Sequence, residues 1–232
     1  MNDTRQSPGR VLVTGGASGL GAAVAQAVAA AGGTPIVLDR SRLESGDWPS
    51  FEVDVSDTAA VRAVVDRAAE TGGLDAVVTA AGIDRPGRLD AVPAEDWERV
   101  IRVNLLGTVA VVRAALPHLI RSHGRVVTVA SSLGLKAVSD ATAYCASKFG
   151  VVGFSRALAA ETRGEIGVTT LVPAGMKTAF FDDREERYRP PDDSRLNDPA
   201  RVADAVLFVL GQPRGCEIRE LVIAHESDES WP

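Results

Sequence analysis

Short runs of apolar residues alternate with long amphipathic segments from residue 10 to residue 224. "RVLVTG" (10–15) is the first such run, and "GLGAAVAQAVAAAGG" (19–33) follows it as a helix ended by glycines. Strands that are apolar throughout are buried on both faces, and strands followed by helices pair in parallel. The same reading places strands over 35–40, 51–55, 74–82 (with its turn), 124–131, 168–174 and 217–224. Helices are predicted over 56–73, about 93–122, 142–163 and 199–211, the first capped by Ser56 or Asp57. Pro117 is expected to kink the long helix near its end. The fold class that results is α/β. It is a single-domain Rossmann fold, a doubly wound, mostly parallel sheet of about seven strands with helices on both faces.

Composition narrows the function classes. The chain has 232 residues, 45% of them hydrophobic, which suits one domain with a sizeable core. A net charge of −6 argues against nucleic acid or an anionic membrane as partner. No window approaches the roughly 18 consecutive apolar residues of a membrane span. The N-terminus carries no apolar signal core, so a cytoplasmic location is expected. Cys145 and Cys216 make no disulfide framework, and His118, His123 and His225 make no metal cluster with them. Residues 1–9 and 226–232 are expected as flexible tails. Residues 41–49 are short for a crossover between parallel strands, which usually takes about a dozen residues. Residues 179–198 are charged, Pro-containing and poorly periodic, the pattern of a substrate lid.

"TGGASGLG" (14–21) lies between the first strand and the first helix, with Gly15, Gly19 and Gly21 in GxxxGxG spacing. Glycine permits a tight turn and close approach of backbone to a ligand, and the following helix presents free N–H groups to a pyrophosphate. Asp39 ends the second strand about 20 residues later, where a carboxylate accepts from ribose hydroxyls and repels a 2′-phosphate. That favours NAD(H). Arg40 beside it leaves NADP(H) open, because a guanidinium can hold that phosphate. Asp54, at the end of the third strand, either receives the adenine amino group or caps the helix at 56.

"YCASK" (144–148) sets Tyr144 and Lys148 four apart, on one face of a helix. A free phenol titrates near pH 10. A neighbouring ammonium stabilises the phenolate and suits it to exchange a proton with an alcohol or carbonyl oxygen. Lys148 can also donate to the nicotinamide ribose. Ser131, at the end of the fifth strand, reaches the crevice at the carboxyl ends of the strands and can bind the reacting oxygen. Ser132 competes for that role. Trp48, Trp97 and Trp231 read as packing or surface residues, and the histidines and Cys145 as structural.

With "TGGASGLG", Asp54 in "DVSD", "AAG" (80–82), "VNLLGT" (103–108), "VVTVASS" (126–132), "YCASK" and "VPAGMKT" (172–178), the chain resembles the short-chain dehydrogenase/reductase (SDR) family over residues 10–224. The resemblance implies a tetrad of Asn104, Ser131, Tyr144 and Lys148, with Asn104 holding a water that links Lys148 to solvent. It implies cofactor contacts from Gly15, Ser18, Gly19, Leu20, Gly21, Asp39, Arg40, Asp54, Val55, Ala81, Gly82, Tyr144, Lys148, Pro173, Met176 and Thr178. It also implies a homodimer or homotetramer joined through the two long helices. Three departures stand out: Thr79 and Ala80 replace the family's asparagines, "PA" replaces "PG" at 173–174, and the glycine-rich ending is missing.

The expected function is hydride transfer between a nicotinamide cofactor and a small carbonyl or secondary alcohol. The charged lid hints at a polar substrate such as a sugar or cyclitol, although a solvated face explains those charges equally well. The alternatives are a dinucleotide-sensing regulator without turnover, or an epimerase or dehydratase of the extended relatives. The first usually lacks the tyrosine or lysine, and the second needs more chain after residue 178.

Overall fold

The computed structural model describes residues 7–41, 43 and 48–228. The ends of both expected tails (1–6 and 229–232), Trp231 and part of the 41–49 segment lie outside the described residues. The strands are β1 (Arg10–Thr14), β2 (Thr34–Asp39), β3 (Ser50–Glu52), β4 (Ala76–Thr79), β5 (Arg125–Val129), β6 (Gly167–Pro173) and β7 (Glu220–Ile223). The helices are α1 (Gly19–Ala30), α2 (Thr58–Ala69), α3 (Ala94–Ile101), α4 (Thr108–Ser122), α5 (Thr142–Glu161) and α6 (Pro199–Leu210). Among the described residues the strands form one wholly parallel sheet in the order β3-β2-β1-β4-β5-β6-β7.

Strand alternation sends side chains to two cores. Val11 and Val13 of β1 pack with Val24 and Val28 of α1 and Val202 and Val206 of α6. Leu12, between them, packs with Val61 and Val65 of α2 and Val111 and Leu119 of α4. All of these are buried. Each such side chain contributes roughly 1.5–3 kcal/mol by leaving water, and a strand covered on both faces has no polar side to show.

Register levels the strand ends. Thr14 stands opposite Leu38 and Thr79, Thr79 opposite Thr128, and Val129 opposite Leu171. The segments that leave β1, β4, β5 and β6 therefore converge at one rim. The order of strands reverses between β1 and β4, which puts a crevice there.

Several boundaries differ from expectation. The strands expected over 51–55 and 217–224 pair only over Ser50–Glu52 and Glu220–Ile223. Val53 and Val55 keep their apolar character because they are buried beyond the ladder. Asp57, not Ser56, caps α2, its Oδ1 accepting from the N–H groups of Ala59 and Ala60. Ser131 lies two residues past the end of β5 and caps a single 3-10 turn, Ser132–Gly134. Helix is continuous over residues 94–122, with a π-helical stretch, Arg102–Gly107, between α3 and α4. Pro117 sits inside α4, and the helix runs on past it to Ser122. By length and composition this helix is apolar enough to cross a membrane. Here Val100, Val103, Val111, Val112, Ala115 and Leu119 bury one side of it.

Residues 179–198 are not structureless. They hold three 3-10 turns, Ala179–Phe181, Glu186–Tyr188 and Asp193–Arg195. The root is tied by a bridge between Met176 and Asn197, with Asn197 N donating to Gly175 O at 2.9 Å and Lys177 N to Asn197 O at 2.9 Å.

Candidate active site

The glycine turn forms because its backbone leaves no room for side chains. Gly15 has φ +69°, and a Cβ there would meet the Ala81 backbone at 2.9 Å. At Gly21 a Cβ would lie 2.2 Å from Gly15 O. The first turn of α1 can therefore sit directly on the β1 end. Ser18 is the N-cap residue, but its side chain makes no capping bond, so the first N–H groups of α1 have no side-chain acceptor. A pyrophosphate at this helix terminus fits that donor set.

Asp39 braces the turn: Oδ2 accepts from Ala17 N at 3.0 Å and Oδ1 from Ser41 N at 2.9 Å. Asp54 does not cap a helix. Its Oδ1 accepts from the N–H and hydroxyl of Ser56, and Oδ2 lies 3.4 Å from Arg99. The Ser56 hydrogen bonds, with Arg99 and Arg40 nearby, hold its carboxyl below the usual range. The Leu20 and Val55 side chains are buried in the two cores. Ala81 N donates to Thr14 Oγ1, which ties "AAG" to β1. Pro173 closes β6, Met176 packs against the α1–α6 core, and Thr178 lies over Gly19. Gly82 lies beside Asn104 and Lys148, which links the glycine rim to the tyrosine.

Tyr144 and Lys148 share one face of α5, with Nζ 5.6 Å from the centre of the phenol ring. Ser131 hydrogen-bonds the phenol and also accepts from Leu133 N. Lys148 is 5% exposed, and its Nζ donates to Val129 O at 2.9 Å. Burial pulls its ammonium down to about 8, against the charge of Asp84. Burial pushes the Tyr144 phenol up to about 12. The Ser131 bond and the Arg184 charge oppose that rise, and Asp84 adds to it. The phenol is therefore raised rather than lowered: burial dominates, even with the Lys148 ammonium 5.6 Å from the ring.

Asn104 sits in the π-helical stretch and is 1% exposed. Its Nδ2 donates to Ile83 O at 2.9 Å and Ser147 Oγ at 3.0 Å, and its Oδ1 accepts from Ile83 N at 2.8 Å. The side chain thus locks the loop after β4 to α5.

Two residues of this site carry no sequence motif. Asp84, next to that locked loop, forms an ion pair with Arg184 of the 179–198 segment at 2.9 Å. Their side chains are only 5% and 14% exposed. Burial pushes the Asp84 carboxyl above its usual range, with Arg184 pulling the other way. The guanidinium lies 4.8 Å from the Phe180 ring centre and 4.6 Å from that of Phe181. Phe180 in turn lies 5.8 Å from the Tyr144 ring. A separate surface cavity of about 730 Å³ lies elsewhere, along the outer side of α2 and α4.

A doubly wound parallel sheet, a glycine turn at its switch point and a half-buried tyrosine beside a buried lysine and serine at the same rim define a dinucleotide-dependent α/β enzyme. The family model for short chain dehydrogenase matches residues 9–189. The D-threitol dehydrogenase of Mycolicibacterium smegmatis is 36% identical, over 72% of this chain and 70% of its own. A human 3-oxoacyl-[acyl-carrier-protein] reductase is 35% identical, over 87% of this chain and 90% of its own. The structure of Thermoplasma acidophilum aldohexose dehydrogenase superposes with a TM-score of 0.85 at 25% identity, covering 93% of this chain and 92% of that one. The chain belongs to the short-chain dehydrogenase family. It is an NAD(P)-dependent oxidoreductase acting on a small alcohol or carbonyl substrate.

Proposed function

We propose that Tyr144 is the proton-transfer residue of a dehydrogenase for secondary alcohols that carry further hydroxyls. The observation that carries this reading is the phenol itself, flanked by the Ser131 hydroxyl and, across its ring, the Lys148 ammonium at 5.6 Å. In oxidation Tyr144 takes the hydroxyl proton of the carbinol, and in reduction it returns that proton to the carbonyl oxygen. Ser131 donates to the reacting oxygen and keeps it at the phenol. Lys148 holds positive charge beside the developing phenolate and donates to the ribose. Asn104 positions the loop after β4 and would hold a water that links Lys148 to solvent. When bound, the nicotinamide supplies the hydride chemistry. Gly15, Ser18, Gly19, Gly21, Gly82 and Thr178 would hold the dinucleotide.

Asp39 at the end of β2 supports a preference for NAD(H), since its carboxylate opposes a 2′-phosphate. Exposed Arg40 supports some use of NADP(H). The printed names of the threitol and aldohexose enzymes support a polyhydroxylated substrate. The segment 179–198 acts as the substrate lid. We place the protein in the cytoplasm on its acidic balance and two free cysteines, and assign it a homodimer or homotetramer.

The test is an initial-rate screen of polyols and sugars with both cofactors, repeated with Tyr144→Phe. The expected result is turnover faster with NAD, and a loss of kcat of about 10³-fold or more in the variant, with cofactor binding retained. Full activity in Tyr144→Phe would remove the phenol from proton transfer.

A further inference from the structure

The Asp84–Arg184 pair neither takes nor gives the transferred proton, yet it is buried beside the phenol. Taking two charges out of water is costly, and such a pair is a weak device for stability. Its donors are also incompletely used. Arg184 Nη2 binds Asp84 at 2.9 Å and Nη1 reaches Tyr188 O at 3.4 Å, while Nε is buried with no partner. Asp84 has spare acceptor capacity: Oδ1 takes Arg85 N and Oδ2 takes Arg184, one bond each where a carboxylate oxygen accepts two.

We propose that Asp84 and Arg184 together recognise a second hydroxyl next to the reacting carbinol, which donates to the Asp84 carboxylate and accepts from Arg184 Nε. This rests on Tyr144 as the proton-transfer residue. A hydroxyl is the group that both gives and takes a hydrogen bond, so it satisfies the pair without breaking it. A substrate carboxylate fits poorly, because a two-pronged grip needs Nη2, which Asp84 holds, and Asp84 repels it. A substrate apolar at this point leaves Nε buried and unpaired, at a penalty that selects against it.

Placement sets the hydroxyl near the phenol: the Arg184 guanidinium lies 4.8 Å from the Phe180 ring centre, and Phe180 lies 5.8 Å from the Tyr144 ring. The pair is held on both sides. Asn104 fixes Ile83, the residue before Asp84. Phe180 and Phe181 flank the guanidinium, and Arg189 binds the carbonyls of Arg184 and Asp182 at 2.7 and 2.6 Å. A site gripped in this way discriminates between hydroxylated and deoxy ligands.

The test compares matched alcohols, cyclohexane-1,2-diol against cyclohexanol and butane-2,3-diol against butan-2-ol, with the full chain and each cofactor. We expect the unaltered protein to favour each diol by about 100-fold or more in kcat/KM. Asp84→Asn and Arg184→Gln should shrink that ratio to about threefold or less. Arg184→Lys keeps the charge and the ion pair but has no Nε donor, so it should stay folded by circular dichroism and still lose the preference. Saturation-transfer NMR supplies a second readout, with the diol signal present for the unaltered protein and lost in Arg184→Lys. A diol preference retained in Arg184→Lys, or equal losses for diol and simple alcohol, overturns the proposal. Diol binding that depends on Arg184, without oxidation of any alcohol, supports the pair and instead refutes the proton-transfer role of Tyr144.

Discussion

Burial moves Tyr144 and Lys148 in opposite directions, because one is charged when it loses a proton and the other when it holds one. The phenol rises to about 12 and the ammonium falls to about 8. At neutral pH the tyrosine is therefore an acid that keeps its proton. Reduction uses that protonated form directly and should change less than about twofold between pH 6 and 8. Oxidation needs the phenolate, whose fraction grows tenfold per pH unit below the phenol's pKa. Oxidative kcat/KM should therefore rise by nearly tenfold per unit from about pH 6 to 8. Above about 8 Lys148 loses its proton and its support for the phenolate, so the rise should flatten there. Initial rates in both directions, followed by nicotinamide absorbance across this range, check the pair of slopes. A flat oxidative profile would place proton removal on another group.

At the scale of elements, the end of β4 shows what a departure from family pattern does. Thr79 is 2% exposed, and its hydroxyl is buried with no partner. An unsatisfied buried hydroxyl carries its desolvation penalty without return. Thr79→Val keeps the shape and removes the hydroxyl, so it should stabilise the fold by about 1 kcal/mol. Denaturant midpoints with an unchanged m-value check it, and destabilisation would mean that the hydroxyl has a partner in solution. The strands were legible in sequence because a parallel strand covered on both faces must be apolar along its length. Their ends were less so, since Val53 and Val55 serve the core after pairing has stopped. The glycine turn and the Tyr–Lys spacing were legible because both are local: one needs residues without Cβ, the other one helical turn. Asp84 and Arg184 were not, being 100 residues apart in the chain. Nothing local announces an ion pair that exists only when the 179–198 segment folds back over α5. The π-helical stretch at Asn104 was hidden for a related reason. "RVNLLG" keeps an ordinary helical pattern, and the extra residue per turn follows from where the side chain must bond.

Taken as one body, the molecule leaves an apolar face on the side away from the sheet. Leu106 is 49% exposed in the π-helical stretch before α4, and Phe149 is 45% exposed on α5. Gly150, next to Phe149, packs against Leu105, next to Leu106, so the segments that carry the two exposed side chains touch. The 730 Å³ groove runs from Leu106 past Val109, Ala110 and Ala114 and is flanked by Arg62, Asp66 and Arg113. The same helix that is apolar enough to span a bilayer by composition leaves part of its apolar surface uncovered here. A second copy of the chain would cover such a surface, and a stable interface needs about 800 Å² from each partner. Light scattering should therefore give a dimer or tetramer for the unaltered chain. The double variant Leu106→Asp, Phe149→Asp puts two carboxylates on each copy at that surface, and like charges desolvated against each other cost more than the apolar contact they replace. It should run as a monomer while its circular dichroism stays the same. An unaltered chain that is monomeric at micromolar concentration, or a double variant that still assembles, would move the interface off these helices.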